Sequence, residues 1–354
     1  MNFYYFGIYN TDGGMENYAY NLIEGIKSKR NDVDFTLLVF DEQFSFKDKF
    51  LKKLNCKYII LPNFKKHPIR FYKTIVNLNK QLSVNDIIQI NTCSFRNFLL
   101  FKACSKLGCK KIIVSHYSKI NGGFGLIHKI NRRLFSKKFI NVAVSETAGN
   151  FMFCSNFQII QNGIRSEFFE YKPYLRNKIR NQYEIDEDTF LIGQVGRISN
   201  DKNQFFSLKV LKKLLIKCPN SKIMFVGKGN NCGLKRFLCK NGLNKNAVFT
   251  GPQKNVGEFY SAFDCLILPS KNEAAPLVLF EGLSNGLPCV CSKNVPSIQN
   301  YINNDYLYYN SLNVEDWVNT LVSIKNGKNV RNNLISTTVF EYKNFIDNYI
   351  KLYF

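Results

Sequence analysis

Two groups of charged residues stand directly after short apolar runs in the second half of the sequence. The run Leu191–Val195 ends at Gly196-Arg197-Ile198-Ser199-Asn200-Asp201-Lys202. A guanidinium offers a planar fork for phosphate oxygens and an ammonium a mobile point charge, so Arg197 and Lys202 suit a diphosphate leaving group. Two solvated loop cations in a Lys-rich chain are the competing reading. The run Cys265–Leu268 ends at Pro269-Ser270-Lys271-Asn272-Glu273. Ala274-Ala275-Pro276 follows, then Leu277–Leu283, apolar except for Glu281 and Gly282. A helix started by Pro276 and stopped by Asn285-Gly286 and Pro288 is expected there, buried on most sides. Glu273 then lies in the loop before the helix and Glu281 within it. A carboxylate in such apolar sequence needs partners, and sugar hydroxyls would serve. The amides at the helix start, around Leu277 and Val278, suit a phosphate. The alternative is a helix N-terminal acid plus a salt-bridged core acid.

Weaker signals lie in the first half. Gly13-Gly14 precedes Met15-Glu16 at the start of a helical pattern. Paired glycines let a ligand approach the backbone, with a plain tight turn as the alternative, and the full GxGxxG fingerprint is absent. Of the three histidines, His67, His116 and His128, only His116 follows an apolar run at its carboxyl end. It can hydrogen-bond a sugar hydroxyl or phosphate, or be an ordinary polar loop residue. Asp32-Val33-Asp34 and Asp186-Glu187-Asp188 place acids two apart, as in DxD metal sites. Neither stands at a carboxyl-end loop, and hard cations need several converging oxygens, so no metal site is expected.

These residues need elements to position them. Apolar runs at Phe3–Tyr9, Val33–Phe40, Tyr58–Leu61, Ile87–Ile90, Lys111–Ser115, Phe139–Val144 and Phe157–Gln161 read as strands alternating with amphipathic helices. In Glu16–Ser28, Ala19, Leu22, Ile23 and Ile26 share one helical face. The pattern restarts with strands at Leu191–Val195, Lys222–Val226, Val248–Thr250, Cys265–Leu268 and Cys289–Ser292, and with a helix after Asn203 carrying Phe205, Leu208, Leu211 and Leu215 on one face. Strand–helix alternation predicts parallel sheets covered on both faces. The expected organisation is an α/β chain of two doubly wound domains: residues 1–165, a linker over 166–188, and residues 189–336, with a last amphipathic helix over 337–354. Open parallel sheets bind ligands beyond the carboxyl ends of their strands, so a cleft between the domains is the expected site.

At 354 residues the chain exceeds one ordinary core, and 45% hydrophobic residues supply two. The 49 basic residues outnumber 26 acidic ones, a net charge of +23. Composition bias accounts for many lysines but not for the shortage of acids, and the excess suggests an anionic partner such as a phosphorylated substrate or an acidic membrane surface. Eleven cysteines without a CxxC pair read as free, buried thiols in a reducing cytoplasm. The N-terminal run lacks a basic leader, and no run reaches the roughly 20 apolar residues of a spanning helix. A cytoplasmic protein is expected, peripheral at the inner face of the membrane if it meets one.

Taken in order, these motifs resemble the retaining GT-B glycosyltransferases of glycosyltransferase family 4 over nearly the whole chain. The resemblance rests on Gly13-Gly14-Met15-Glu16, Val144-Ser145-Glu146, Gln161-Asn162-Gly163-Ile164, Gly196-Arg197 with Lys202, Phe225-Val226-Gly227-Lys228-Gly229, Phe249-Thr250-Gly251, and Glu273-x7-Glu281 followed by Gly286-Leu287-Pro288. It implies Rossmann-like acceptor and donor domains facing across a cleft, with the last helix crossing back to the first. Glu273 would contact the donor sugar, Glu281 the ribose hydroxyls, and Arg197 and Lys202 the diphosphate. Gly14 would lie against donor or acceptor, and His116 at the sugar. The implied reaction moves a hexose from a nucleoside diphosphate sugar, expected to be a UDP-sugar, to a saccharide or polyprenyl-diphosphate-linked acceptor in surface polysaccharide synthesis. No cofactor or metal is implied. Ala274-Ala275-Pro276 departs from the family, which often has glycines there. Two rivals remain: a sugar-nucleotide epimerase or hydrolase on the same fold, and a basic non-catalytic module. Nucleic acid is not an expected partner, because the aromatic residues fall in strands and helix faces rather than along a basic stripe.

Overall fold

The computed structural model describes residues 1–9, 14–44, 47–116, 125–295, 306–327, 331 and 340–354. The chain divides into two compact units, one formed by Met1–Asn162 with Lys343–Phe354 and the other by Gly163–Tyr342. Each is built on a parallel sheet. The first contains β1 (Asn2–Phe6), β2 (Asp34–Val39), β3 (Lys57–Ile60), β4 (Ile87–Thr92), β5 (Lys110–Ser115), β6 (Ile140–Ala143) and β7 (Gln158–Ile159), in the order β3-β2-β1-β4-β5-β6-β7. The second contains β8 (Phe190–Val195), β9 (Ser221–Val226), β10 (Ala247–Gly251), β11 (Cys265–Leu268), β12 (Cys289–Ser292) and β13 (Leu307–Asn310), in the order β10-β9-β8-β11-β12-β13. Every pairing is parallel, which the near-continuous apolar strands require, since helices cover both faces.

Strand order reverses between β1 and β4 in the first sheet and between β8 and β11 in the second. At such a point the loops leaving two adjacent strands diverge to opposite faces and leave a crevice at their carboxyl ends. The helix Gly14–Lys29 buries Ala19, Leu22, Ile23 and Ile26 as expected from their spacing. The helix Gln204–Lys217 differs from its expected face. Phe205 is exposed against Phe237, while Phe206, Leu208, Val210, Leu211 and Leu214 are buried. The helix is covered from a second side by Val314–Asn326, whose Trp317 packs edge-on to Phe206 at 5.4 Å, so two adjacent faces are apolar.

The strand β13 lies outside the strands expected from apolar runs. It is a four-residue edge strand whose Tyr and Asn content resembles a loop. The stretch expected as a linker packs within the second unit. Its helix Pro173–Gln182 carries Arg180, which is 1% exposed and donates to the Ala262 carbonyl at 2.8 Å and to the Asp186 carbonyl at 2.9 Å. The last helix is Tyr342–Tyr353, beginning later than the expected 337, and residues 332–339 lie outside the described residues. It packs in the first unit, where Tyr353 donates to Gln89 at 2.5 Å and Tyr18 bonds Tyr349. The cysteines are free, but Cys154, Cys232 and Cys239 are exposed rather than buried.

Candidate active site

The switch point of the second sheet brings together the two charged groups singled out in the sequence. Lys202, in the loop after β8, pairs its ammonium with the Glu273 carboxylate in the loop after β11, 2.5 Å apart. Ser270 Oγ donates to the same carboxylate oxygen at 2.7 Å. The side chain of Glu273 retains 11% of its exposure and that of Lys202 25%, so the pair is shielded without being sealed off. The two loops are laced together by their backbones. Lys271 N–H donates to the Asp201 carbonyl at 2.8 Å, and Asn203 Nδ2 to the Pro269 carbonyl at 3.2 Å.

The β8 loop is held from beneath by polar residues that carry no mark of this role in the sequence. Gln194 lies within the buried strand, accepts from Ser207 Oγ at 2.7 Å and donates to the Lys202 carbonyl at 2.8 Å. Gln204, also buried, accepts from Ser199 N–H at 3.2 Å and donates to the Arg197 carbonyl at 3.0 Å. Both therefore fix the loop by its main chain, and the Arg197 side chain is left exposed on the same loop as Lys202. The turns after β8 and β9 pack on one another. Gly227 has φ +147°, and a Cβ there would lie 2.2 Å from the Gly196 carbonyl, which explains the glycine in Phe225-Val226-Gly227.

Glu281 is partly buried in the helix Leu277–Ser284 and accepts the phenolic hydrogen of Tyr260. Burial pushes the Glu281 carboxyl upward, and the Tyr260 hydrogen bond and the Lys202 charge pull it back. The helix starts one residue after Pro276, and the Leu277 amide turns back onto the Ala275 carbonyl at 3.0 Å. The expectation of a free amide at Leu277 is corrected accordingly: the tight turn at Ala275-Pro276 uses it. Val278 is half-buried in the first turn.

The first unit holds the other two residues. Gly14 is the exposed first residue of its helix, and a Cβ there meets no described atom within 4 Å, so internal crowding does not account for a glycine. Gly13 lies outside the described residues. His116 follows β5 and packs edge-on to Tyr18, with ring centroids 4.3 Å apart. Its Nε2 is shielded from solvent and meets no hydrogen-bond partner among the described residues. Burial lowers its pKa to about 3, so the ring is neutral at physiological pH. Of the acids two apart, Asp32 is clasped by Arg30 at 2.7 and 2.8 Å, and Asp188 accepts from Asn220 at 2.8 Å.

Residues 176–338 match the family described as Glycosyl transferases group 1. That match covers the Lys202–Glu273 pair, Arg197 and Glu281. The chain is a glycosyltransferase of the GT-B fold. The transferase is 24% identical over 296 residues to the protein named "Putative glycosyltransferase EpsF" of Bacillus subtilis, covering 80% of this chain and 77% of that protein. It is 26% identical over 194 residues to the Escherichia coli UDP-Gal:alpha-D-GlcNAc-diphosphoundecaprenol alpha-1,3-galactosyltransferase, half of this chain and 49% of that one. Among solved structures it superposes on Anabaena HepE in complex with UDP with a TM-score of 0.83 over 99% of both chains, at 15% identity. Among the described residues, no helix of the transferase is long and apolar enough to cross a membrane.

Proposed function

We propose that the enzyme transfers a hexose, with retention of anomeric configuration, from a UDP-sugar to a saccharide or polyprenyl-diphosphate-linked acceptor in surface polysaccharide synthesis, working at the inner face of the membrane. The observation that carries this reading is the Lys202–Glu273 pair at the switch point, with the exposed Arg197 on the same loop as Lys202. A cation that can swing from a carboxylate to a diphosphate suits a site where negative charge grows on the leaving group. The named activity of the E. coli relative, which uses UDP-galactose and a diphosphoundecaprenol acceptor, and the UDP bound by the Anabaena structure support the choice of donor and acceptor class.

In this reading Arg197 and Lys202 take the diphosphate, Glu273 the reacting sugar and Glu281 the ribose hydroxyls. His116 is assigned to a sugar hydroxyl, Gly14 to close approach of donor or acceptor, and Val278 to phosphate contact. As the bond from the anomeric carbon to the phosphate oxygen breaks, its electron pair passes to the diphosphate. The acceptor hydroxyl oxygen bonds that carbon from the same face, and its proton goes to the departing phosphate oxygen. The positive charge needed comes from side chains, so the reaction is assigned no metal or cofactor.

The test replaces Glu273 and Arg197 separately with Ala and follows product formed from UDP-sugars on a lipid-linked acceptor. Loss of a donor of charge stabilisation typically costs about 100-fold or more in turnover. Near-wild-type turnover in both variants overturns the assignment. Product formed from donor alone, as a free or epimerised sugar at catalytic rates, moves the enzyme to the hydrolase or epimerase class.

A further inference from the structure

The helix Gly125–Phe135 of the first unit is turned inside out. An ordinary surface helix sets its apolar stripe toward the core and its polar residues toward water. Here the inward positions are His128, Asn131 and Phe135. Leu126, Ile127, Ile130 and Leu134 face outward, exposed to 69%, 45%, 50% and 52%. Two polar anchors fix that rotation. The Phe95 amide donates to His128 Nδ1 at 3.1 Å, and Asn131 Nδ2 donates to the Phe95 carbonyl at 2.7 Å. Rotating the helix to hide its leucines and isoleucines would break both bonds and strand a buried imidazole and amide.

Phe98, 40% exposed, adds a further apolar side chain next to this helix, its ring 5.5 Å from that of the buried Phe135. Cations border it. Lys129, Arg133, Lys137 and Lys138 are exposed on this helix and the turn after it. From Ile87 to Ser145 the sequence has eleven Lys and Arg and no Asp or Glu. A contiguous exposed apolar face marks an interaction surface. One bordered by these cations matches a partner that is apolar within and negative at its rim, which describes an anionic lipid bilayer entered to headgroup depth.

We propose that the outward face of Gly125–Phe135 docks the enzyme on anionic membranes, with Leu126, Ile127, Ile130 and Leu134 inserted among the lipids and the bordering cations on phosphate headgroups. The inference deepens the membrane-surface part of the proposed function and rests on that reading for its biological setting. The full chain is tested by co-flotation with vesicles of phosphatidylcholine alone and of phosphatidylcholine with about one third phosphatidylglycerol. Wild type is expected to float with the anionic vesicles, barely with the neutral ones, and to be released by salt. The Leu126→Ser/Ile130→Ser/Leu134→Ser variant is expected to partition at least about tenfold less, since three inserted apolar side chains are lost. Because these side chains are exposed, its melting temperature is expected to match that of wild type. Should it melt lower, Lys129→Gln/Arg133→Gln decides the matter, with a loss of several-fold on anionic vesicles expected from two removed charges.

Equal flotation of wild type and both variants overturns the proposal, as does equal wild-type binding to neutral and anionic vesicles. A wild-type dimer that the triple substitution makes monomeric, without vesicle binding by either, assigns the face to a second copy instead. UDP binding by the same preparations separates this inference from the one above. Retained UDP binding without flotation removes the membrane face alone, whereas flotation without UDP binding removes the donor reading alone.

Discussion

His116 illustrates how the burial of a single side chain couples stability to pH. Its ring is held against Tyr18 with Nε2 out of solvent, and burial lowers its pKa to about 3. In the unfolded chain a histidine titrates near about 6.5. Between these values the unfolded chain binds a proton that the folded protein refuses, so stability falls as pH drops below about 6.5, by up to about 1.4 kcal/mol per unit. Urea midpoints of wild type and His116→Asn between pH 7 and 5 should show a steeper acid loss in wild type. Parallel slopes would remove the shielded ring as their cause. Tyr260 makes a second case. Its hydroxyl, together with the Lys202 charge, opposes the upward push of burial on Glu281. Tyr260→Phe is expected to cost about 1–3 kcal/mol by leaving a shielded carboxylate short of a donor. It should also raise the Glu281 pKa further; under the ribose role proposed for Glu281, donor affinity, measured by calorimetry across pH, then begins to fall at a higher pH than in wild type.

At the scale of elements, the site depends on two loops set by their strands. Gly227 stands where a Cβ would meet the Gly196 carbonyl and where φ is positive. Gly227→Ala is therefore expected to lose about 1–3 kcal/mol from backbone strain alone, with further loss from the displaced Arg197 turn. Differential scanning calorimetry and the KM for donor check this together, and an unchanged KM would show that the two turns move independently. Much of this layer was legible in the sequence. Buried parallel strands write themselves as apolar runs, so Cys265–Leu268 and Cys289–Ser292 match the structure residue for residue. Glu273 and Lys202 stood out because each follows such a run. What supports them did not. Gln194 and Gln204 reveal their part only through main-chain partners, and Ser270 looks like any loop serine until its hydroxyl is seen on Glu273. The Leu277 amide was misjudged because a turn closing through Ala275 leaves no mark in composition. The outward turn of the helix Gly125–Phe135 has no mark in the sequence either, because spacing identifies an apolar face but not the direction in which it points.

At the scale of the whole chain, the two units differ in how they are assembled. The second is contiguous, Gly163–Tyr342, whereas the first is completed by a segment from the far end of the sequence. That segment is part of the first unit's core rather than a cover. Tyr349 and Tyr353 are buried, Phe3 packs edge-on to Tyr353 at 5.0 Å, and Lys110 Nζ donates to the Tyr353 carbonyl at 2.7 Å. No local pattern in residues 1–162 announces this need, and only the family resemblance raised it. Removing residues 343–354 uncovers Phe3, Tyr5 and Tyr18, each an aromatic that carries a large share of core burial. Apolar burial is worth roughly 25 cal/mol per Å², so losing the docking face of a twelve-residue helix removes several kcal/mol, on the scale of a domain's whole margin. The chain ending at Tyr342 is therefore expected to show the first unit unfolded or binding a hydrophobic dye, with the second unit still melting cooperatively. A synthetic peptide of residues 343–354 added in excess should restore part of the lost transition. Two intact transitions in the truncated chain, by calorimetry and near-UV circular dichroism, would mean that the first sheet and its remaining helices close their core without the returning helix.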